Sequence, residues 1–325
     1  MALVSTVAGC GSSDDADNFG ALPDIAYDSQ TAVRVYDIFV ASAGGDVQQI
    51  TDDRLSYGPA WSPDGQQIAF VRGKPGSAEE CCGYGSERIW VMDADGSNAE
   101  PVSTSDPTTA PRWTPDGTGL MFIAVTPPAP GEPEWKETNV LIRVDLASGD
   151  EEVIFEDMPW RIYDLYLSPD GESFVRGARE AILTTNLATG EVTTEADGVF
   201  KGGSDSVSWS PDGEWFAATG VAEGTAAARF WAWNIEDDRL VPIEIGRGAF
   251  GGYTWTGPAE LLYCYTELVE EGAEGPTYER QLRRVKLGDD PVEVLVTDFR
   301  DSYVGNNGKE FNYCLGDRMD ARTTQ

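Results

Sequence analysis

The sequence predicts an all-β chain folded as a six-bladed β-propeller, and three observations predict it. A turn signature recurs, the segments between its copies alternate with period two, and the chain ends carry incomplete units that complement each other. The copies read Trp61-Ser62-Pro63-Asp64-Gly65, Trp113-Thr114-Pro115-Asp116-Gly117, Leu167-Ser168-Pro169-Asp170-Gly171 and Trp209-Ser210-Pro211-Asp212-Gly213, with a worn fifth, Trp255-Thr256-Gly257-Pro258-Ala259. Successive copies start 52, 54, 42 and 46 residues apart, the length of a four-stranded blade.

Within a unit, Pro presets φ at the first corner of a type I turn, Asp tolerates the second, and Gly supplies the positive φ that follows. The turn closes a hairpin onto an alternating strand, as in Ile68-Ala69-Phe70, Leu120-Met121-Phe122 and Phe216-Ala217-Ala218. A variable loop leads to a third strand, such as Ile89-Trp90-Val91-Met92 or Phe230-Trp231-Ala232-Trp233. A second turn, such as Asp95-Gly96-Ser97, leads to a short outer strand, and no stretch sustains a helical period. The sixth blade is composite. Tyr36 to Thr51 reads as a third and fourth strand, and Val304 to Tyr313 as a degraded first hairpin. Pairing the N-terminal strands with this C-terminal hairpin closes the ring and removes free sheet edges.

The Trp-Ser-Pro-Asp-Gly turn, followed by residues 89 to 98 (Ile-Trp-Val-Met-Asp-Ala-Asp-Gly-Ser-Asn), resembles the TolB-type propeller repeat from Val33 to about Cys314. Similar propellers include a periplasmic component of an envelope complex, the non-catalytic domains of prolyl oligopeptidase-like peptidases, and surface lipoproteins. The resemblance therefore implies a fold and leaves function open. Val7-Ala8-Gly9-Cys10 is similar to a bacterial lipobox, which implies lipidation at Cys10. On this reading residues 1–9 are the remnant of a lipoprotein signal peptide, 10–32 a flexible acidic tether, 33–315 the propeller and 316–325 a tail. The implied location is extracytoplasmic, with the chain anchored to the bacterial cell membrane and not spanning it.

The 325 residues have room for one propeller and carry a net charge of -33. Lysine occurs only at positions 74, 136, 201, 286 and 309, so the clustered cations of a nucleic-acid groove are missing. A monomeric ring that meets a cell-envelope protein or peptide is expected instead. Cys81, Cys82, Cys264 and Cys314 are disulfide candidates in an oxidising compartment. Cys264 and Cys314 read as occupying equivalent second strands of blades five and six. A vicinal Cys81–Cys82 bond or a bond from that loop to Cys314 are alternatives.

The chain has no histidine, which removes Ser-His-Asp triads, Cys-His pairs and His-bearing metal centres. No cofactor and no metal site is expected. Asp64, Asp116, Asp170 and Asp212 all fall at one turn corner and read as structural. Asp93 to Asn98 partly resembles a calcium loop but lacks the later bidentate Glu. The repeated tryptophans read as inter-blade packing.

Chain direction places the loops between second and third strands on the same end of the ring as the starts of the innermost strands. These loops are long in blades one, two and five (residues 72–87, 126–138 and 266–281), and loop two carries Trp135 among prolines. Tyr57, Arg112, Tyr163, Asp164, Asp205, Tyr253 and Tyr303 precede innermost strands and are expected around the channel mouth. Two functions fit. The favoured one is a non-enzymatic scaffold that binds protein, peptide or a small polar ligand on the long-loop face and channel mouth. The other is a hydrolase or lyase that acts on saccharide or peptide through carboxylates and Tyr at that mouth.

Overall fold

Four strands joined in chain order build each of the first five blades. The computed structural model describes residues 24–32, 35–42, 47–73, 87–126, 137–158, 165–178, 181–197, 200–201, 207–222, 228–245, 249–272, 275–288, 293–304 and 319–321. Blade one consists of Ser56–Trp61, Gln67–Arg72, Arg88–Asp93 and Glu100–Pro101. Blade two consists of Arg112–Trp113, Gly119–Thr126, Thr138–Asp145 and Glu151–Met158, and blade three of Tyr166–Leu167, Ser173–Gly177, Ala181–Asn186 and Val192–Asp197. Blade four consists of Val207–Trp209, Trp215–Thr219, Ala228–Asn234 and Arg239–Ile245. Blade five consists of Ala249–Gly257, Glu260–Gly272, Gly275–Lys286 and Glu293–Val304. Six four-stranded sheets form in all among the described residues, with a small ribbon of Phe200–Lys201 and Val221–Ala222 beside blade four. The chain is a six-bladed β-propeller.

The ring closes by pairing N-terminal with C-terminal strands, as expected, but the division between the two ends differs. Blade six takes its innermost strand, Met319–Ala321, from the C-terminus and its other three, Ile25–Ala32, Val35–Ala41 and Val47–Gln49, from the N-terminus. Ile25 pairs with Ala321 and Tyr27 with Met319. Ile25–Ala32 lies in the segment expected as tether, and the closing strand lies in the expected tail. Val304, taken for the start of a sixth hairpin, instead ends the outer strand of blade five. The remaining residues of that supposed hairpin, 305–313, lie outside the described residues. Since the second strand of blade six is Ile25–Ala32, the equivalence that paired Cys264 with Cys314 fails.

The second strand of each blade sends alternate side chains to its two neighbours, as period-two geometry requires. In blade one Ile68 and Phe70 pack toward blade six while Ala69 packs toward blade two. In blade two Leu120 and Phe122 pack toward blade one while Met121 packs toward blade three. In blade four Phe216 and Ala218 pack back on blade three and Ala217 packs on blade five. Among the described residues the buried apolar side chains accordingly fall into six clusters, one for each seam of the ring. The tryptophans lock these seams. Trp113 Nε1 donates to the Ala60 carbonyl at 2.9 Å and Trp255 Nε1 to Ser208 Oγ at 3.0 Å, each reaching the preceding blade.

The closing seam adds buried carboxylates. The Gly58 amide, at a bulge with φ 63°, donates to Asp28 Oδ2 at 2.8 Å, and the Arg54 amide donates to Asp37 Oδ1 at 2.8 Å. Both acids are 2% exposed. Buried acceptors held this way tie blade six to blade one through main-chain groups that would otherwise lose water without compensation.

The turn acids behave as their position demands. Asp64, Asp116, Asp170 and Asp212 each accept from the Ser or Thr hydroxyl two residues earlier, at 2.6, 2.6, 2.5 and 2.5 Å. Each also accepts from the amide two residues later. In blade five, where the signature is worn, Glu260 takes this place. It accepts from Thr256 Oγ1 at 2.7 Å and pairs with Arg284. Successive turns also stack. Gly117 faces Pro63, Gly171 faces Pro115 and Gly213 faces Pro169 on the preceding blade.

Two outcomes follow from the turns. Hydrogen bonds from Thr114 and then Thr118 hold the Asp116 carboxyl down at about 2. An unfolded Asp titrates near ~3.9, so the stabilisation is complete above that value and is lost as pH falls toward 2. Asp116→Asn is expected to lower the urea midpoint at pH 6, with the gap to the parent closing between about pH 4 and pH 2. For the stacking, Gly149 and Gly171 both have positive φ, but only Gly171 would place a Cβ against its neighbour, 2.9 Å from Pro115 Cδ. Gly149→Ala is expected to cost roughly 1–2 kcal/mol for the left-handed backbone alone, and Gly171→Ala clearly more, by chemical denaturation.

Candidate functional site

The end of the ring where innermost strands begin is the candidate site, and three of its expected residues have described side chains. Arg112 precedes Trp113 and points to the following blade by the same alternation that turns Trp113 back. Its Nε donates to the Leu165 carbonyl at 2.8 Å and its guanidinium lies 5.2 Å from the centre of the Tyr166 ring. Tyr253 donates its hydroxyl to the Ala217 carbonyl at 3.0 Å, with its ring 4.9 Å from that of Phe230. Tyr57 lies 6.2 Å from Tyr36 and packs against the cluster between blades one and two. All three are half-buried. Arg112 and Tyr253 bridge neighbouring blades, which is a positioning role the sequence reading had given to the tryptophans alone.

Tyr303 is a correction. It lies in the outer strand of blade five, paired with Tyr278, and not before an innermost strand. The expectation followed from reading Val304 as the start of blade six. Trp135, Tyr163, Asp164, Asp205, Cys10, Cys81, Cys82 and Cys314 lie outside the described residues. Cys264 occupies the second strand of blade five, opposite Leu282.

The long connection of blade five is also a correction. Residues 266–281, expected as a loop, continue the second and third strands as a hairpin, with Glu267 opposite Glu279 and Gly272 opposite Gly275. The outer strand runs beside it as far as Val304 opposite Thr277. Among the described residues the first strand pairs no further along this hairpin than Ala249 opposite Thr266. Blade five therefore extends three strands beyond the point where its innermost strand begins.

Sequence reading missed a polar cluster where blade one begins. Arg72 pairs with Asp53 at 2.6 Å, and its guanidinium lies 4.5 Å from the Trp90 ring centre and 5.1 Å from that of Phe70. The Leu55 amide and the Ser56 hydroxyl both donate to Asp53 at 2.9 Å. Only the Arg at the end of an otherwise apolar strand marked it in the sequence.

The electrostatics of the turn acids do not suit a general acid. The acids Asp95, Asp116, Asp145 and Asp170 are all moved down, chiefly by hydrogen bonds from Ser97, Thr114, Ser148 and Ser168 in their own turns. A general acid needs the opposite shift, and these turns lie at the far end of the ring. The segment likened to a calcium loop is likewise self-satisfied. Asn98 Nδ2 donates to Asp93 Oδ2 at 2.7 Å and the Ser97 amide donates to Asp95 Oδ1 at 2.9 Å. Among the described residues no group of three or more acidic or Cys side chains is arranged to hold a metal ion.

No protein-family model matches the chain. The uncharacterized peptidase YuxL of Bacillus subtilis is 26% identical over 180 residues, covering 55% of this chain and 24% of that protein. The Tol-Pal system protein TolB 1 of Novosphingobium aromaticivorans is 34% identical over 76 residues, covering 23% of this chain and 15% of that protein. The chain thus matches at most about a quarter of the length of these curated relatives. The crystal structure of TolB from Acinetobacter baumannii superposes with a TM-score of 0.58 at 17% identity, covering 85% of this chain and 64% of that one. Repeat, blade count and superposition agree: the fold is a TolB-like six-bladed propeller.

Proposed function

We propose that this propeller is a non-enzymatic recognition scaffold of the bacterial cell envelope, docking a protein or peptide on the face that carries its long connections. The observation that carries the reading is the blade-five extension. Among the described residues no strand pairs with the inner edge of this extension, and such an edge suits an added strand. The aromatic and cationic groups described beside the mouth are meanwhile engaged in holding blades together. The similarity to a Tol-Pal system protein supports an envelope setting. The similarity to an uncharacterized peptidase covers a minor part of that protein, and it supports a peptide as the ligand class without supporting turnover. Membrane attachment through Cys10 completes the proposal and rests on the Val7-Ala8-Gly9-Cys10 motif.

The test is capture from an envelope extract of the producing bacterium. A partner retained by the parent chain and lost on Glu270→Lys/Glu271→Lys in the blade-five hairpin is the expected result. Turnover of a glycan or peptide panel, abolished by Asp164→Ala or Asp205→Ala, would replace the scaffold with the hydrolase or lyase. Tyr253→Phe serves as the structural control. It should cost about 1 kcal/mol in denaturation through the lost bond to Ala217 while leaving capture intact.

A further inference from the structure

One residue breaks the rule by which the seams are filled. In each blade the second-strand residue opposite the repeated large residue of the innermost strand is fixed by register: Ile68 opposite Trp61, Leu120 opposite Trp113, Phe174 opposite Leu167, Phe216 opposite Trp209 and Leu261 opposite Trp255. Two residues further along stand Phe70, Phe122, Ala218 and Tyr263, each at most 1% exposed and each packed into the seam with the preceding blade. In blade three this position is Arg176. By the same alternation, with Phe174 in the seam between blades two and three and Val175 in the next, Arg176 faces blade two.

The replacement is uncompensated. Arg176 is half-buried, and its Nε is enclosed without a hydrogen-bond partner. Among the described residues no carboxylate pairs with it, in a chain with 56 acidic residues. Burial pushes its pKa below the ordinary value for a guanidinium. A second cation faces the same seam from the opposite blade. Arg112 donates to the carbonyl of Leu165, the residue next along the strand from Tyr166, and Tyr166 is paired with Val175 beside Arg176. Strand alternation therefore turns Arg112 and Arg176 toward the same seam from its two sides. A partly enclosed cation without a counter-charge gains from an anion that completes it.

We infer that the seam between blades two and three holds a binding site for a carboxylate-bearing ligand, with Arg176 as its anion contact. Guanidinium suits a carboxylate because its planar fork donates two parallel hydrogen bonds. The inference deepens the recognition reading, on which it rests, by naming the chemistry of a ligand at the axial end of the blades. The carboxylate can belong to a free small acid or to the end of a peptide.

Thermal melts and calorimetric titration of the full chain test this, with succinate, a short peptide with a free C-terminal carboxylate, and its C-terminal amide as probes, and sodium chloride at matched ionic strength as reference. A rise in melting temperature with succinate or with the free-acid peptide, but not with the amide or chloride, is expected. Response to both acids, or to one alone, identifies the source. Arg176→Phe, which restores the residue of blades one and two, should fold at least as stably as the parent and bind the same acid roughly ten-fold or more weakly. Arg176→Met provides the same test should Phe not fit. No acid-specific shift in the parent, or an undiminished shift in the folded variants, overturns the inference. Capture of an envelope partner by a chain that lacks the acid response would end this inference while leaving the recognition reading in place.

Discussion

No blade of this ring has a core of its own. A four-stranded sheet with one layer of side chains on each face can bury those faces only against another sheet, and period two divides each strand's side chains equally between its two neighbours. Ile68 and Phe70 belong to one seam and Ala69 to the next. Stability is therefore a property of seams and not of blades. The ring must close because an open one would leave two apolar faces in water.

The same constraint explains why so many functional-looking residues prove to be structural. Aromatic and cationic side chains around a channel invite a reading as ligand contacts. At this radius, however, neighbouring innermost strands lie close, and a side chain long enough to enter the channel also reaches the next blade. Arg112 finds the Leu165 carbonyl and Tyr253 the Ala217 carbonyl. The turn acids at the other end are held by hydroxyl and amide donors in a pattern repeated four times, which is how a polar corner remains ordered beside water.

Fold class, blade length, the turn acids and the seam tryptophans were legible because each recurs, and recurrence separates structural demand from accident. The closing strand was not. Met319–Ala321 is three residues long, without turn signature or alternation to mark it, while Glu293–Val304 runs past the point where the period should restart. The blade-five hairpin was missed because Glu267 to Glu271 lacks the turn residues and apolar alternation of the other strands. Tyr57 and Arg112 stand at the starts of their innermost strands, where the turn signature is intact, whereas Tyr253 lies within its innermost strand and Tyr303, where the blade assignment slips, in an outer one. Arg176 carries no mark of its own in the sequence. It stands as far beyond its turn glycine as Phe70 and Phe122 do beyond theirs, but the offset acquires meaning only once the seam it faces is known.

Pairing Ile25 with Ala321 joins residues 296 positions apart. Bringing such distant partners together carries roughly 2–3 kcal/mol more chain entropy than forming a short hairpin of about 15 residues. Among the described residues that cost falls on a contact of three residue pairs. Assembly should accordingly proceed sheet by sheet from local hairpins, leaving the final docking as the slow step. The same junction is then where thermal breathing of the finished disc would begin, with hydrogen exchange fastest at Ile25–Tyr27 and slowest in the sheets diametrically across from it.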